Sequence, residues 1–132
     1  MPGQLPVTAA IYAAILVLLG VVLTLRVILK RVKHEVNDGD GGHADLARAM
    51  RAHGNFAEQA PFAILILMFA EMLGAPHALV LALGGVLVVT RMLSAIGLSR
   101  SLGQSFFRQS AAGLTAVTLA ATAITVLYAA LA

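Results

Sequence analysis

Three polar side chains able to bind a charged ligand lie just before an apolar run in the middle of the chain: Arg51, Asn55 and Glu58. At about 3.6 residues per helical turn, their spacing of four and three places them on one face of a helix, and Arg48 extends that face by one turn. Ionised side chains are rare inside membrane helices, and those that occur commonly belong to functional sites. We therefore interpret these four residues, the polar stripe, as the candidate site.

The charges around the polar stripe predict the type of ligand. Further basic residues expected near it are Arg31, Arg91 and Arg108. Several guanidinium groups around the carboxylate of Glu58 leave an excess positive field, which the carboxylates of a ligand would neutralise through bidentate contacts. Glu58 itself suits an amine. A molecule with two carboxylates and one amine fits this pattern, and glutathione is such a molecule. A cation at Arg108 would favour the glutathione thiolate.

The composition is that of an integral membrane protein. Of 132 residues, 60% are hydrophobic and only 11% are charged, and the mean hydropathy is +0.92, whereas soluble domains contain about 45–50% apolar residues. The nine Lys and Arg residues lie in loops and at helix ends, without interleaved aromatic residues, so nucleic-acid binding is rejected. The absence of cysteine excludes disulfides, thiolate metal ligands and a cysteine nucleophile.

The hydropathy pattern predicts an all-α, four-helix membrane bundle in a single domain, residues 1–132. The helices are expected at about 7–33, 44–73, 75–97 and 106–131. Pro61 is expected to kink the second helix directly after the polar stripe. The pair Gly84 and Gly85 predicts a close helix contact. No basic residue precedes the first apolar run, so we expect a retained helix and not a cleaved signal peptide.

The first loop contains the run Asn-Asp-Gly-Asp-Gly-Gly at residues 37–42. An EF-hand would need a third oxygen ligand where Gly42 stands and a distal glutamate, and neither is present. We therefore interpret the loop as a flexible connector and predict no metal site.

The distribution of basic residues predicts the orientation in the membrane. The first and third loops with their flanks hold all nine Lys and Arg residues, so these loops are predicted to face the cytoplasm and both termini the outside. The polar stripe then lies in the cytoplasmic half. Glu71 and His77 are expected at the outer edge, where solvation would explain them.

Taken together, these residues resemble the pattern of a known family. The segment Arg-Ala-His-Gly-Asn-Phe-Ala-Glu-Gln-Ala-Pro at 51–61 resembles the signature of the MAPEG superfamily, membrane-associated proteins in eicosanoid and glutathione metabolism. Four crossings, a polar first loop, Arg91 late in the third helix and a basic residue opening the fourth are similar as well. The resemblance implies a homotrimer that binds glutathione as cosubstrate between neighbouring protomers near the cytoplasmic face.

The resemblance also implies roles for individual residues. Arg51, Asn55 and Glu58 match glutathione-contacting positions, and Arg31 matches an arginine that reaches glutathione from the adjacent subunit. Arg108 resembles the arginine that activates the thiol, with Arg100 as the alternative. Two further binding candidates are Arg91 and Gln109. For Arg91, an ion pair with an acid such as Glu58 is the competing interpretation.

The resemblance leaves two functions open. The first is a glutathione-dependent membrane transferase or peroxidase acting on lipophilic electrophiles that arrive through the bilayer. The second is a non-catalytic lipid-binding or scaffold relative, because Ser94 and Leu98 stand where family enzymes usually carry aromatic or histidine side chains. A proton-coupled exporter using Glu58 is disfavoured, since the surrounding arginines would hold that carboxylate ionised. The pattern is most similar to small bacterial members, which implies the bacterial inner membrane.

Overall fold

Four helices make up the computed structural model, which describes residues 3–100 and 106–132, without the side chains of 98, 99 and 106–109. They are α1 (Val7–His34), α2 (Ala44–Met72), α3 (His77–Arg100) and α4 (Phe106–Leu131). No strand occurs within these ranges. The predicted all-α four-helix architecture is confirmed. The largest differences in bounds are in α3, which begins only after Pro76 and continues three residues beyond Gly97, because a single glycine does not end a helix.

The antiparallel pair α1 and α2 is fastened at both ends. At one end, Lys30 near the end of α1 lies 3.2 Å from the carboxylate of Asp45 in the first turn of α2. At the other end, the carboxylate of Glu71 accepts hydrogen bonds from the backbone N–H groups of Thr8, at 3.0 Å, and Ala9, at 2.7 Å. The two helices therefore lie side by side over their whole length.

Among the residues that the structure describes, three helices are long and apolar enough to span a membrane, namely α1, α3 and α4. The polar first half of α2 keeps it out of this set. Because α2 lies beside α1 from end to end, it crosses the same apolar layer.

The contact between α1 and α3 explains the glycine pair. The hydroxyl of Tyr12 donates a hydrogen bond to the carbonyl oxygen of Leu81, at 2.8 Å. A Cβ on Gly84 would overlap the Tyr12 ring, and one on Gly85 would lie 3.6 Å from the Tyr12 hydroxyl. The predicted close packing at these glycines is confirmed.

The order of packing leaves α1 and α4 on opposite sides of the bundle. Both α2 and α3 pack against each other and against each of the outer helices, whereas α1 and α4 do not contact one another in the described ranges. A side chain of α3 can therefore be enclosed by α2 and α4 together.

Candidate functional site

Arg91 is the centre of a polar network inside the bundle. Its side chain is only 2% exposed, and it lies fourteen residues into α3, about 21 Å from the start of the helix. One terminal nitrogen donates to Oδ1 of Asn55 in α2, at 2.9 Å. The other donates to Ser94 Oγ, at 3.1 Å, and to Thr115 Oγ1 of α4, at 2.9 Å. A single guanidinium thus ties three helices together.

This network fixes the orientation of the Asn55 amide. A guanidinium carries only donors, so the group of Asn55 that faces Arg91 must be its carbonyl oxygen. The NH₂ group of Asn55 then points away from Arg91 and remains able to donate. Asn55 is therefore prepared to recognise a hydrogen-bond acceptor, such as a ligand carbonyl or carboxylate.

The interpretation of Arg91 as the ion-pair partner of Glu58 is wrong. The groups that hold Arg91 are an amide and two hydroxyls, all neutral, and its Nε is buried without a hydrogen-bond partner among the described residues. Glu58 instead lies 3.8 Å from a terminal nitrogen of Arg51. A buried cation held by neutral groups is costly, and it leaves a positive field inside the bundle.

Two other members of the polar stripe, Arg51 and Glu58, face outward, whereas Arg48 is half-buried. The side chains of Arg51 and Glu58 are 50% and 62% exposed. Glu58 lies fourteen residues before the end of α2, about 21 Å along the helix from Met72. An apolar layer is about 30 Å thick, so Glu58 is at the depth of hydrocarbon and on the surface of a single chain, whereas Arg51, about 31 Å from Met72, is at the edge of that layer.

The other predicted site residues are placed less completely. Arg31 donates to the carbonyl oxygen of Gly39, at 2.8 Å, and contacts the sulfur of Met50, at 3.6 Å, so it is held beside α2 by its own chain. Its contact with an adjacent subunit stays a prediction.

The side chains of Arg108 and Gln109 lie outside the described residues, and their predicted roles are untested. Arg100 follows Arg91 by nine positions, which is the opposite face of α3.

Two polar residues of the network were not among the sequence candidates. Ser94 departs from the family pattern, yet it is buried against Arg91. Thr115 belongs to none of the motifs in the sequence. Its signal in the sequence is the series Thr115, Thr118 and Thr122, spaced three and four apart in the apolar α4, which places three hydroxyls on one buried face.

A second charged cluster lies where α1 ends and α2 begins. Asp45 accepts from His34, at 2.9 Å, and from Lys30, at 3.2 Å. The His34 hydrogen bond, followed by that of Lys30, holds the pKa of Asp45 well below its ordinary value despite partial desolvation of the carboxylate. His34 also stacks on His43, with the ring centroids 3.8 Å apart. This cluster fastens the end of the bundle that is nearest to the polar stripe.

Fold and site together define a four-helix membrane protein with an arginine-centred polar network at the depth of the apolar layer. The MAPEG family model matches residues 9–128, and the chain belongs to the MAPEG family. Among curated proteins it is similar to the inner membrane protein YecN of Escherichia coli strain K12, with 35% identity over 108 residues, covering 82% of this chain and 79% of that protein. The protein of the same name from Escherichia coli O6:H1 is similar to the same extent.

Proposed function

We propose that the protein is a glutathione-dependent membrane transferase or peroxidase that acts on lipophilic electrophiles. The observation that carries the proposal is the fixed Asn55 amide, which presents a donor between the cation of Arg51 and the carboxylate of Glu58. This order of cation, donor and anion complements a small zwitterion. The resemblance of residues 51–61 to the family signature supports glutathione as that zwitterion.

In the proposed complex, three residues of the stripe contact glutathione. Arg51 binds a glutathione carboxylate, the Asn55 NH₂ donates to a carbonyl or carboxylate oxygen, and Glu58 holds the ammonium group. Arg91 acts through Asn55 and contributes to the positive field. Arg108 stabilises the thiolate, so that the sulfur attacks the electrophilic carbon and forms a thioether while the leaving group departs. In the peroxidase reaction, two glutathione molecules are oxidised to the disulfide as the peroxide is reduced to alcohol and water.

We further propose that the site is completed in a homotrimer. Charged side chains at the depth of the apolar layer almost always face protein or water, not lipid. Glu58 is exposed on the single chain at that depth, so a second copy is expected to cover it together with its partner Arg51. Arg31 of a neighbouring copy is the proposed additional contact.

We place the trimer in the bacterial inner membrane, with the basic loops in the cytoplasm. The distribution of Lys and Arg supports this orientation, and the similar Escherichia coli protein is named as an inner membrane protein.

Glutathione binding by calorimetry tests the proposal. Glu58→Gln removes the charge expected to hold the ammonium group, and we expect glutathione affinity to fall at least tenfold. The matched control is Glu35→Gln, which makes the same change at an exposed residue at the end of α1. Ultraviolet absorbance of the thiolate, followed against pH, should show a lowered thiol pKa that Arg108→Ala restores.

The outcome also separates the two candidate functions. No binding at millimolar glutathione would refute the transferase and favour the lipid-binding or scaffold relative. The observation that favours this alternative is Ser94, which lies buried against Arg91 where family enzymes usually present an aromatic or histidine side chain.

A further inference from the structure

The parallel helices α1 and α3 form a groove on the side of the bundle away from the Arg91 network. The groove has a volume of about 240 Å³. Its apolar walls include Leu19 and Val22 of α1 and Met92 and Ile96 of α3. Val22 is 53% exposed and Met92 and Ile96 are each 45% exposed, so the groove is open at the surface of the single chain.

The only basic side chains that line this groove in the described ranges are Arg26 and Arg100. Because α1 and α3 run parallel, both arginines lie toward the same end of the groove. Arg26 is nineteen residues after Val7, about 28 Å along α1, and Arg100 is twenty-three residues after His77, about 35 Å along α3. An apolar layer of about 30 Å therefore ends close to this level, which is the level of lipid headgroups.

We propose that this groove is a binding site for an anionic phospholipid of the surrounding bilayer, with part of one acyl chain against its apolar walls and the phosphate between Arg26 and Arg100. The distribution of charge carries the inference. Apolar walls along the hydrocarbon and two guanidinium groups at headgroup level complement a molecule that is apolar along its length and anionic at one end. The proposal does not depend on glutathione binding, because the groove and the polar network use different faces of α3.

Native mass spectrometry of the protein in detergent tests the site. Phosphatidylglycerol and phosphatidylcholine with identical acyl chains serve as probes. We expect phosphatidylglycerol to be retained preferentially, and Arg26→Gln and Arg100→Gln each to weaken its binding about fivefold. The control Lys33→Gln removes a basic residue of the same end of α1 that does not line the groove, and it should leave the preference unchanged.

Three results would overturn the proposal: equal retention of the two lipids, an equal loss in Lys33→Gln, or displacement of the lipid by glycerol phosphate alone at the same concentration. The last would indicate an anion site without a role for the acyl chain. Should either arginine variant fail to fold, photo-crosslinking of the unmodified protein with a phosphatidylglycerol that carries a reactive acyl chain gives an independent answer. Labelled peptides should then contain residues 19–26 and 92–100, and labelling confined to other segments would refute the site.

Discussion

At the scale of residues, the protein holds a buried cation with neutral groups. Arg91 has its charge in the middle of the bundle, and its partners Asn55, Ser94 and Thr115 bring no negative charge. Each of these hydrogen bonds offsets part of the cost of burying the guanidinium. The arrangement also sets the direction of the Asn55 amide, so the stability of the bundle and the preparation of the site depend on the same contacts.

The hydroxyl of Thr115 gives a test of this network. Thr115→Val keeps the side-chain shape but removes the acceptor for Arg91, and a buried donor left without a partner costs about 1–3 kcal/mol. Thr118→Val is the control, because the Thr118 hydroxyl donates to the carbonyl oxygen of Leu114 in its own helix and the change leaves no buried cation unpaired. Thermal unfolding in detergent should show a clearly lower Tm for the first variant only. Equal effects of the two substitutions would contradict the network.

At the scale of elements, α1 begins with help from another helix. Its N-cap, Pro6, supplies no side-chain hydrogen bond, and the first N–H groups of a helix need acceptors. Glu71 in the last turn of α2 supplies both carboxylate oxygens to this end. The expectation that solvation alone explains Glu71 is therefore wrong. A carboxylate at this position also interacts favourably with the helix dipole.

Glu71→Ala should loosen the start of α1. Loss of an N-cap typically costs about 1 kcal/mol, and we expect faster hydrogen exchange at the backbone amides of Thr8 and Ala9, measured by mass spectrometry. Glu71→Gln, which keeps one acceptor oxygen, should show a smaller effect. Unchanged exchange in the alanine variant would indicate that other groups hold this helix end.

The opposite end of the α1–α2 pair should respond to pH through Asp45. Its pKa is lowered in the folded protein, so the ionised carboxylate stabilises the fold fully above its ordinary pKa of about 3.9. This stabilisation is lost as the pH falls below that value towards the lowered pKa. Melting curves from pH 6 to pH 3 should therefore show a steeper fall in Tm for the wild type than for Asp45→Asn. Parallel pH profiles of Tm for the wild type and Asp45→Asn would show that Asp45 does not cause the pH dependence.

At the scale of the whole molecule, a single chain leaves the carboxylate of Glu58 uncovered at hydrocarbon depth. Arg51 and Glu58 require protein or water around them, and the outward faces of α1 and α4 are apolar. A monomer would expose Glu58 to lipid, whereas the proposed assembly would bury it between copies. The proposed trimer thus follows from the same residues as the proposed ligand site.

The mass of the assembly in mild detergent tests this expectation. Light scattering after size-exclusion chromatography, corrected for bound detergent, should give three times the chain mass of 13.7 kDa. Removal of the charge at hydrocarbon depth by Glu58→Gln should alter the stability of the trimer more than Glu35→Gln, the same change at the exposed end of α1. A monomer that binds glutathione with full affinity would refute an intersubunit site.

The sequence by itself determined the fold class, the four helices and the polar stripe. These features depend on local pattern: hydropathy sets the helices, and the spacing of Arg51, Asn55 and Glu58 places them on one face. The close helix contact at Gly84 could also be predicted, because only small residues permit such approach.

Only the tertiary structure decided the partners of these side chains. Contacts across helices depend on rotation and axial register, which local periodicity leaves undetermined. Arg91 therefore meets Asn55 and Thr115 instead of Glu58, and Glu71 meets the start of α1, sixty-two positions away. The groove with Arg26 and Arg100 could not be predicted from the sequence either, since it exists only where two parallel helices, distant in sequence, lie side by side.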